Sequence, residues 1–237
     1  STRAALRRCL LRPNGILLVC GPTGSGKTTT LYACLGEVNR PDLNITTIED
    51  PVEYRLPGIT QHQVNPHVGL RFAEILRGVL RQDPDVILVG EIRDGETANI
   101  AAEAAMTGHL VLSSLHTNDS VQAIMRLVKL GVEPHLVAPT VVGVLSQRLV
   151  RRICPSCKES YTAAPEQLKP YFSNPDAETI TLFRGRGCPQ CFGSGYSGRV
   201  GVYSMLEISE TMRDLISAGE GPARILAEAR QHGYCSM

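Results

Sequence analysis

A lysine and a threonine at the end of a glycine-rich octapeptide form the first combination in this chain suited to handling phosphate: Gly21-Pro22-Thr23-Gly24-Ser25-Gly26-Lys27-Thr28. The spacing fits G-x-x-x-x-G-K-[ST], the phosphate-binding loop of nucleotide hydrolases. Glycines let backbone N–H groups turn around an anion with no Cβ in the way. A helix opening near Lys27 points its positive end at the same place, and Thr29 continues the loop into it. Lys27 is positioned to reach the β- and γ-phosphates. The Thr28 hydroxyl is positioned to ligate magnesium.

Acids follow at the ends of two apolar runs. Asn44-Ile45-Thr46-Thr47-Ile48 leads into Glu49 and Asp50, with Glu53 just beyond Pro51. Asp85-Val86-Ile87-Leu88-Val89 leads through Gly90 to Glu91, a Walker B pattern with glycine where aspartate is usual. In an open α/β sheet the carboxyl ends of strands are where ligands bind. Glu49, Asp50 and Glu53, with Glu49 nearest the strand end, and Glu91 are therefore candidates for magnesium and for the attacking water, and the residue types leave open which of Glu49 and Glu91 does which. His116 stands at the carboxyl end of a third apolar run, suited to contact a γ-phosphate, with His109 at the opposite end. Arg77 and Arg81 share a helix face, and Arg93 follows Glu91. These arginines suit either the charge on a transferring phosphoryl group or pairing with nearby acids.

A second chemical nucleus lies in Cys154-Pro155-Ser156-Cys157 and Cys188-Pro189-Gln190-Cys191, with 30 residues between the two pairs. Each C-x-x-C turn aims two sulfurs at one point, and two turns complete a closed four-thiolate site of the structural zinc type. Two disulfides or four free thiols are the alternatives. The surrounding segment 154–204 carries Ala164-Pro165, Asn174-Pro175-Asp176 and Gly193-Ser194-Gly195, and has little apolar material to bury. A zinc ion supplies roughly 10–16 kcal/mol of apparent binding free energy to such a lobe. Cys9, Cys20, Cys34 and Cys235 are scattered, and the apolar settings of Cys20 and Cys34 predict ordinary core thiols.

The elements that must hold these residues alternate strand and helix from Ile16 to Leu145. That predicts an α/β fold with a mostly parallel sheet and helices on both faces. Alanines 98, 101, 102, 104 and 105 predict a helix that lies close on the sheet. Short alternations on either side of Pro57-Gly58 predict a hairpin within 51–70. Ser120 is expected to cap a helix that runs to Leu130 and ends at Gly131. The expected divisions are a core at 1–150, a cysteine lobe at 151–204 and a helical segment, cut short, at 205–237.

The formal net charge is +1, from 24 basic and 23 acidic residues, so no global field draws the chain to nucleic acid or an anionic membrane. Arg148, Arg151 and Arg152 cluster, which fits a solvated surface. No apolar run approaches transmembrane length and no signal peptide opens the chain. A cytoplasmic location and an excised fragment are expected.

Four blocks together carry a family resemblance: the octapeptide with Thr29-Thr30-Leu31-Tyr32; Thr47-Ile48-Glu49-Asp50-Pro51-Val52-Glu53-Tyr54; Leu80 through Asp94; and Thr107 through Asn118. They resemble the Walker A, Asp box, Walker B and His box of the secretion ATPase superfamily that powers type II secretion and type IV pili. Glycine at position 90 matches that family's own Walker B. The four cysteines are similar to those of its type II secretion and pilus-assembly members, whereas the retraction member lacks such a lobe. The resemblance implies a RecA-like fold and a homo-hexameric ring, peripheral to the inner membrane through a platform protein. It implies ATP, magnesium and zinc as ligands, and hydrolysis that turns domains to assemble pilin or pseudopilin. Carried over by residue, Lys27 and Thr28 match the phosphate-loop pair, Glu49 the Asp-box glutamate, Glu91 the Walker B glutamate, and His116 the second His-box histidine. Cys154, Cys157, Cys188 and Cys191 match the metal ligands. The family's N-terminal domain, which donates arginines to the site, has no counterpart in this sequence, so weak or absent hydrolysis is expected of the chain alone. The competing reading is a nucleic-acid-dependent ATPase with a zinc ribbon; neutral charge and 5% aromatic residues argue against it.

Overall fold

A computed structural model describes residues 1–163, 168 and 181–237. The described chain divides into two compact units, Ser1–Arg148 with Val202–Met237, and Leu149–Gly201. The turn residues Ala164-Pro165 and Asn174-Pro175-Asp176 lie outside the described residues.

Strands β1 (Gly15–Cys20), β2 (Ile45–Glu49), β3 (Thr60–Gln63), β4 (Val86–Val89) and β5 (Leu110–Leu115) of the first unit join β6 (Val141–Ile153) and β9 (Tyr196–Glu207), each of which has one end assigned to the second unit, in a seven-stranded sheet of order β3-β2-β4-β5-β1-β6-β9. The pairs β3–β2, β2–β4, β4–β5, β5–β1 and β1–β6 are all parallel. Such a sheet needs cover on both faces, and β1 shows how the sequence provides it. Ile16, Leu18 and Cys20 enter one core, and Leu17 and Val19 enter the other. The first core takes α3 (Phe72–Val79), α4 (Gly95–Met106), α5 (Ser120–Lys129), α6 (Pro134–Thr140), α7 (Glu210–Ser217) and α8 (Pro222–Gln231). The second takes α1 (Thr2–Leu10) and α2 (Lys27–Val38). The alanines of α4 are buried as expected, their small side chains letting the helix lie close on the strands. The segment after the cysteine lobe packs into the same unit as 1–148.

Two expectations need correction. Residues 51–70 form no hairpin about Pro57-Gly58: their one strand, β3, pairs parallel with β2, Thr46 opposite Thr60 and Glu49 opposite Gln63, and the antiparallel bridge within the segment, Asn65 with Leu70, lies beyond it. Alternation of apolar and polar residues marks a half-exposed strand without giving its partner. The ten-residue connection Asp50–Ile59 carries the chain back to start a parallel strand, shorter than the dozen or so residues usual for such a crossover. The helix cap is Asp119, whose carboxylate accepts from the Gln122 N–H at 2.8 Å; Ser120 is the first helical residue. The Ser120 hydroxyl turns inward instead, 2.7 Å from Ser146 Oγ.

The second unit is built on two 3-10 turns, Pro155–Cys157 and Pro189–Cys191, and an antiparallel pair, β7 (Lys158–Thr162) with β8 (Thr181–Gly185). Its described interior is small: a cluster of Cys154, Cys157 and Cys191 with Cys188 packed against it, and the buried side chains of Ala163 and Leu168. Cations lie over its aromatic rings: Arg151 is 4.1 Å from the Tyr196 ring centre and Lys158 3.9 Å from that of Phe183.

Candidate nucleotide site and cysteine centre

The glycine-rich loop joins β1 to α2, the strand-to-helix context its motif requires. Gly26 stands before the helix at φ 86°, a left-handed conformation that suits glycine. A Cβ on Gly21 would fall 2.4 Å from the Gln147 carbonyl oxygen, so this end of the loop also demands glycine. Lys27 is buried, and its Nζ donates to the carbonyls of Gly21 at 3.0 Å and Pro22 at 3.2 Å. Burial lowers its pKa, and the negative charge of Glu91 works in the opposite direction. Among the described residues Lys27 has no salt-bridge partner. Pro22, Thr23, Gly24, Thr28 and Thr29 are exposed, and Ser25 is buried.

At the carboxyl edge of β4, β5 and β2 the chain gathers Glu91, His116, Arg93 and Asp50. Glu91 Oε2 lies 3.3 Å from His116 Nε2, and its Oε1 accepts from the Arg93 guanidinium. The same guanidinium lies 4.0 Å from Asp50. The hydrogen bond it donates to Glu91 holds the Arg93 pKa above its ordinary value. The glycine before Glu91 has a steric reason: a Cβ at Gly90 would sit 3.2 Å from the Ile48 carbonyl and 3.5 Å from Glu49 Cα. The Ser114 hydroxyl donates to the Gly90 carbonyl at 2.7 Å and the Ile92 N–H to the Ser114 carbonyl at 3.2 Å. These bonds tie the ends of β4 and β5 together and fix the backbone on either side of Glu91.

Glu49 ends β2 in a different environment. It is buried, with its Oε1 accepting from Thr47 Oγ1 at 2.5 Å and Gln61 Nε2 at 3.1 Å, and its Oε2 from the Tyr32 hydroxyl. Burial first, and then the hydrogen bond to Glu49, push the Tyr32 phenol up to about 12. Tyr54 stacks edge-on against Tyr32 with ring centres 4.7 Å apart. Glu53 is exposed on the loop beyond.

Other charged candidates stand apart from this edge. His109 precedes β5 at its far end, its Nδ1 2.8 Å from the Ala104 carbonyl, where it closes the end of α4. Arg77 pairs with Glu96 at 2.6 Å in an exposed contact, and Arg81 is exposed on the turn after α3. Sequence reading did not single out Tyr32, Thr47, Gln61 or Gln147. Gln147 carries a recognisable signal, a polar residue next to the carboxyl end of the apolar run Val141-Val142-Gly143-Val144-Leu145.

In the second unit the sulfurs of Cys154, Cys157, Cys188 and Cys191 all lie within 4.8 Å of one another. Cys154–Cys188, Cys157–Cys191 and Cys188–Cys191 are 3.9, 3.8 and 3.7 Å apart. A disulfide needs about 2.05 Å. A tetrahedron with metal–sulfur bonds of about 2.3 Å has edges of about 3.8 Å, so the donor set is compatible with zinc. Burial pushes the Cys157 thiol up to about 11. At Cys191 burial acts in the same raising direction, yet the N–H groups of Cys188 and Gly195, each 3.2 Å from the sulfur, bring the thiol below its ordinary value. Backbone donors of this kind stabilise the thiolate a metal requires.

A profile of type II/IV secretion system proteins matches residues 1–237. The chain belongs to that family. Type II secretion system ATPase E of Vibrio cholerae is 53% identical over 215 residues, which are 91% of this secretion-family chain and 42% of the relative. The type IV pilus assembly ATPase PilB of Thermus thermophilus is 50% identical over 232 residues, 98% of this chain and 26% of the relative. The crystal structure of the pilus retraction motor PilT with bound ADP superimposes with TM-score 0.68 at 28% identity, covering 99% of this chain and 62% of that one. The chain thus spans less than half the length of these curated relatives. No helix among the described residues is long and apolar enough to cross a membrane.

Proposed function

We propose that this chain is the ATP-hydrolysing domain of a motor that drives type II secretion or type IV pilus assembly. The observation that carries the reading is Lys27. A buried ammonium is costly unless paired, and among the described residues this one has two loop carbonyls for company and no carboxylate, at the N-terminus of α2. A bound phosphate supplies the missing counter-charge. Lys27 would leave the Gly21 and Pro22 carbonyls for the β- and γ-phosphates, while the backbone of residues 21–29 cradles the chain of phosphates.

Thr28 and, through water, Glu91 would hold a magnesium ion, which supplies neutralisation of phosphate charge when bound. Glu91 is chosen because it is the acid whose charge acts on Lys27. Glu49 is left to orient the attacking water. Thr47 and Gln61 occupy Oε1 and Tyr32 takes one of the two acceptor positions of Oε2, so the second position on Oε2 is the one left for a water. His116, against Glu91, is placed to report loss of the γ-phosphate to that acid. Arg93 holds Glu91 in position.

Homology to named secretion and pilus ATPases supports a homo-hexamer acting on an inner-membrane platform protein from the cytoplasmic side, with no nucleic acid involved. The sulfur spacing supports a structural zinc held by Cys154, Cys157, Cys188 and Cys191, with no open coordination position. The division into a core at 1–150, a zinc lobe at 151–204 and a C-terminal segment at 205–237 is part of the same proposal.

The test is Lys27→Ala in the full-length protein. ATP turnover is expected to fall to background while the fold, read by circular dichroism, is retained. An unchanged rate removes the assignment. Stimulation of turnover by single-stranded DNA in the unsubstituted protein would instead favour a nucleic-acid-dependent ATPase.

A further inference from the structure

We infer that Gln147 is a positioning residue of the phosphate loop, holding one loop peptide so that its N–H faces the phosphate. The inference rests on the nucleotide reading above. Gln147 lies in β6, 1% exposed, beside the carboxyl end of β1. Its Nε2 donates to the Ser25 carbonyl at 2.6 Å. The C=O and N–H of a peptide unit point in opposite directions. Pinning the Ser25 oxygen towards β6 therefore aims the Gly26 N–H away from β6. Gly26, in its left-handed conformation, immediately precedes the helix that carries Lys27 and Thr28. Successive N–H groups in such a turn form the concavity that takes an anion.

The amide's orientation is dictated by the contact. Reversed, it would set two oxygens 2.6 Å apart. In the observed orientation Gln147 Oε1 is buried without a partner, and so is the Ser25 hydroxyl. An orphaned buried acceptor is unfavourable. A leucine at this position would avoid that penalty, yet a glutamine ends the buried stretch Val141–Gln147 of β6, in which Ser146 is the other polar side chain. The one contact that accounts for it is the bond to the loop. The second anchor at this corner is the Gln147 main chain, whose carbonyl lies against Gly21 so closely that no side chain fits there.

The experiment measures ADP affinity by calorimetry in the full-length protein. Gln147→Leu removes the donor at nearly constant volume and is expected to weaken ADP binding by about tenfold, the scale of one well-placed hydrogen bond with its geometric consequence. Gln147→Glu gives a readout that a merely structural role would not move. A buried carboxyl has a raised pKa. Protonated, it donates O–H to the Ser25 carbonyl; ionised, it repels it. Affinity relative to the unsubstituted protein is therefore expected to recover as pH falls from about 8 to about 6. ADP binding by Gln147→Leu equal to that of the unsubstituted protein overturns the inference. So does a Gln147→Glu profile that runs parallel to that of the unsubstituted protein. Should Gln147→Leu fail to fold, the Gln147→Glu series decides alone. Loss of binding in Lys27→Ala with retention in Gln147→Leu removes this inference and leaves the nucleotide reading standing. Failure of the unsubstituted protein to bind ADP removes both.

Discussion

The two glutamates at the sheet edge have the same chemistry and opposite surroundings. Glu91 shares its charge with Arg93 and His116 at a partly open edge, whereas Glu49 is enclosed by three neutral donors. The Tyr32 hydroxyl is the donor on Oε2, so Tyr32→Phe leaves a buried carboxylate short of one bond. The expected loss is about 1–3 kcal/mol of stability, measured by urea denaturation near neutral pH. The sign of its pH dependence follows from the raised phenol. The contribution is fully present below the unfolded value of about 10 and is lost as pH rises through about 12. The gap between Tyr32→Phe and the unsubstituted protein should narrow over that window, and a constant gap would contradict the bond. At this scale the sequence was readable where a residue type recurs at a fixed place. Lys27, Glu49, Glu91 and His116 all announce themselves by standing in a known loop or just past an apolar run. Tyr32, Gln61 and Gln147 do not, because a neutral donor can reach a carboxylate or carbonyl from any neighbouring element, and only the folded register says which.

Strand ends and helix ends meet at contacts that the side-chain pattern does not advertise. The first residue of α4, Gly95, lies under the end of α5: a Cβ there would be 2.2 Å from the Leu130 carbonyl oxygen, a backbone atom. In the last turn of α2, Gly36 has nothing within 4 Å of the same position. Alanine should therefore have opposite effects at the two sites. Gly95→Ala is expected to destabilise by about 1–3 kcal/mol through displacement of packed backbone. Gly36→Ala is expected to stabilise by about 0.4–1 kcal/mol through lower entropy of the unfolded chain. Thermal melts of the pair check both signs, and a stabilising Gly95→Ala would mean the α4–α5 junction is looser than described. The same limit explains which elements were legible. β1, β4 and β5 are buried on both faces, so β1 and β4 read as continuous apolar runs and β5 as one interrupted only by Ser113 and Ser114, whose hydroxyls donate to the Val89 and Gly90 carbonyls. β3 is an edge strand of polar residues, Thr60-Gln61-His62-Gln63, and its direction is set by pairing with β2 rather than by composition. Helix α1 escaped notice because its buried residues, Cys9 and Leu10, come only in its last turn.

The molecule consists of two compact units of different material. The first has two extensive apolar cores on a mostly parallel sheet, while the described interior of the second is the four cysteines with Ala163 and Leu168. The described residues of this unit bury little apolar surface to set against their chain entropy. With zinc bound its stability is set by metal affinity, because binding and folding of such a lobe are one process. Treatment with a strong chelator should release about one zinc per chain, read with a colorimetric indicator. The residues of 149–201 should then become protease-sensitive. The first unit contains the whole of the phosphate loop, Glu49, Glu91 and His116, so ADP affinity should be retained in the chelated protein. Cys191→Ser should reproduce the chelated state without chelator, since that sulfur receives two backbone N–H bonds as well as the metal. If the chelated protein instead loses ADP binding in step with zinc, the two units do not hold their folds independently, and the nucleotide site draws on the cysteine unit for its stability.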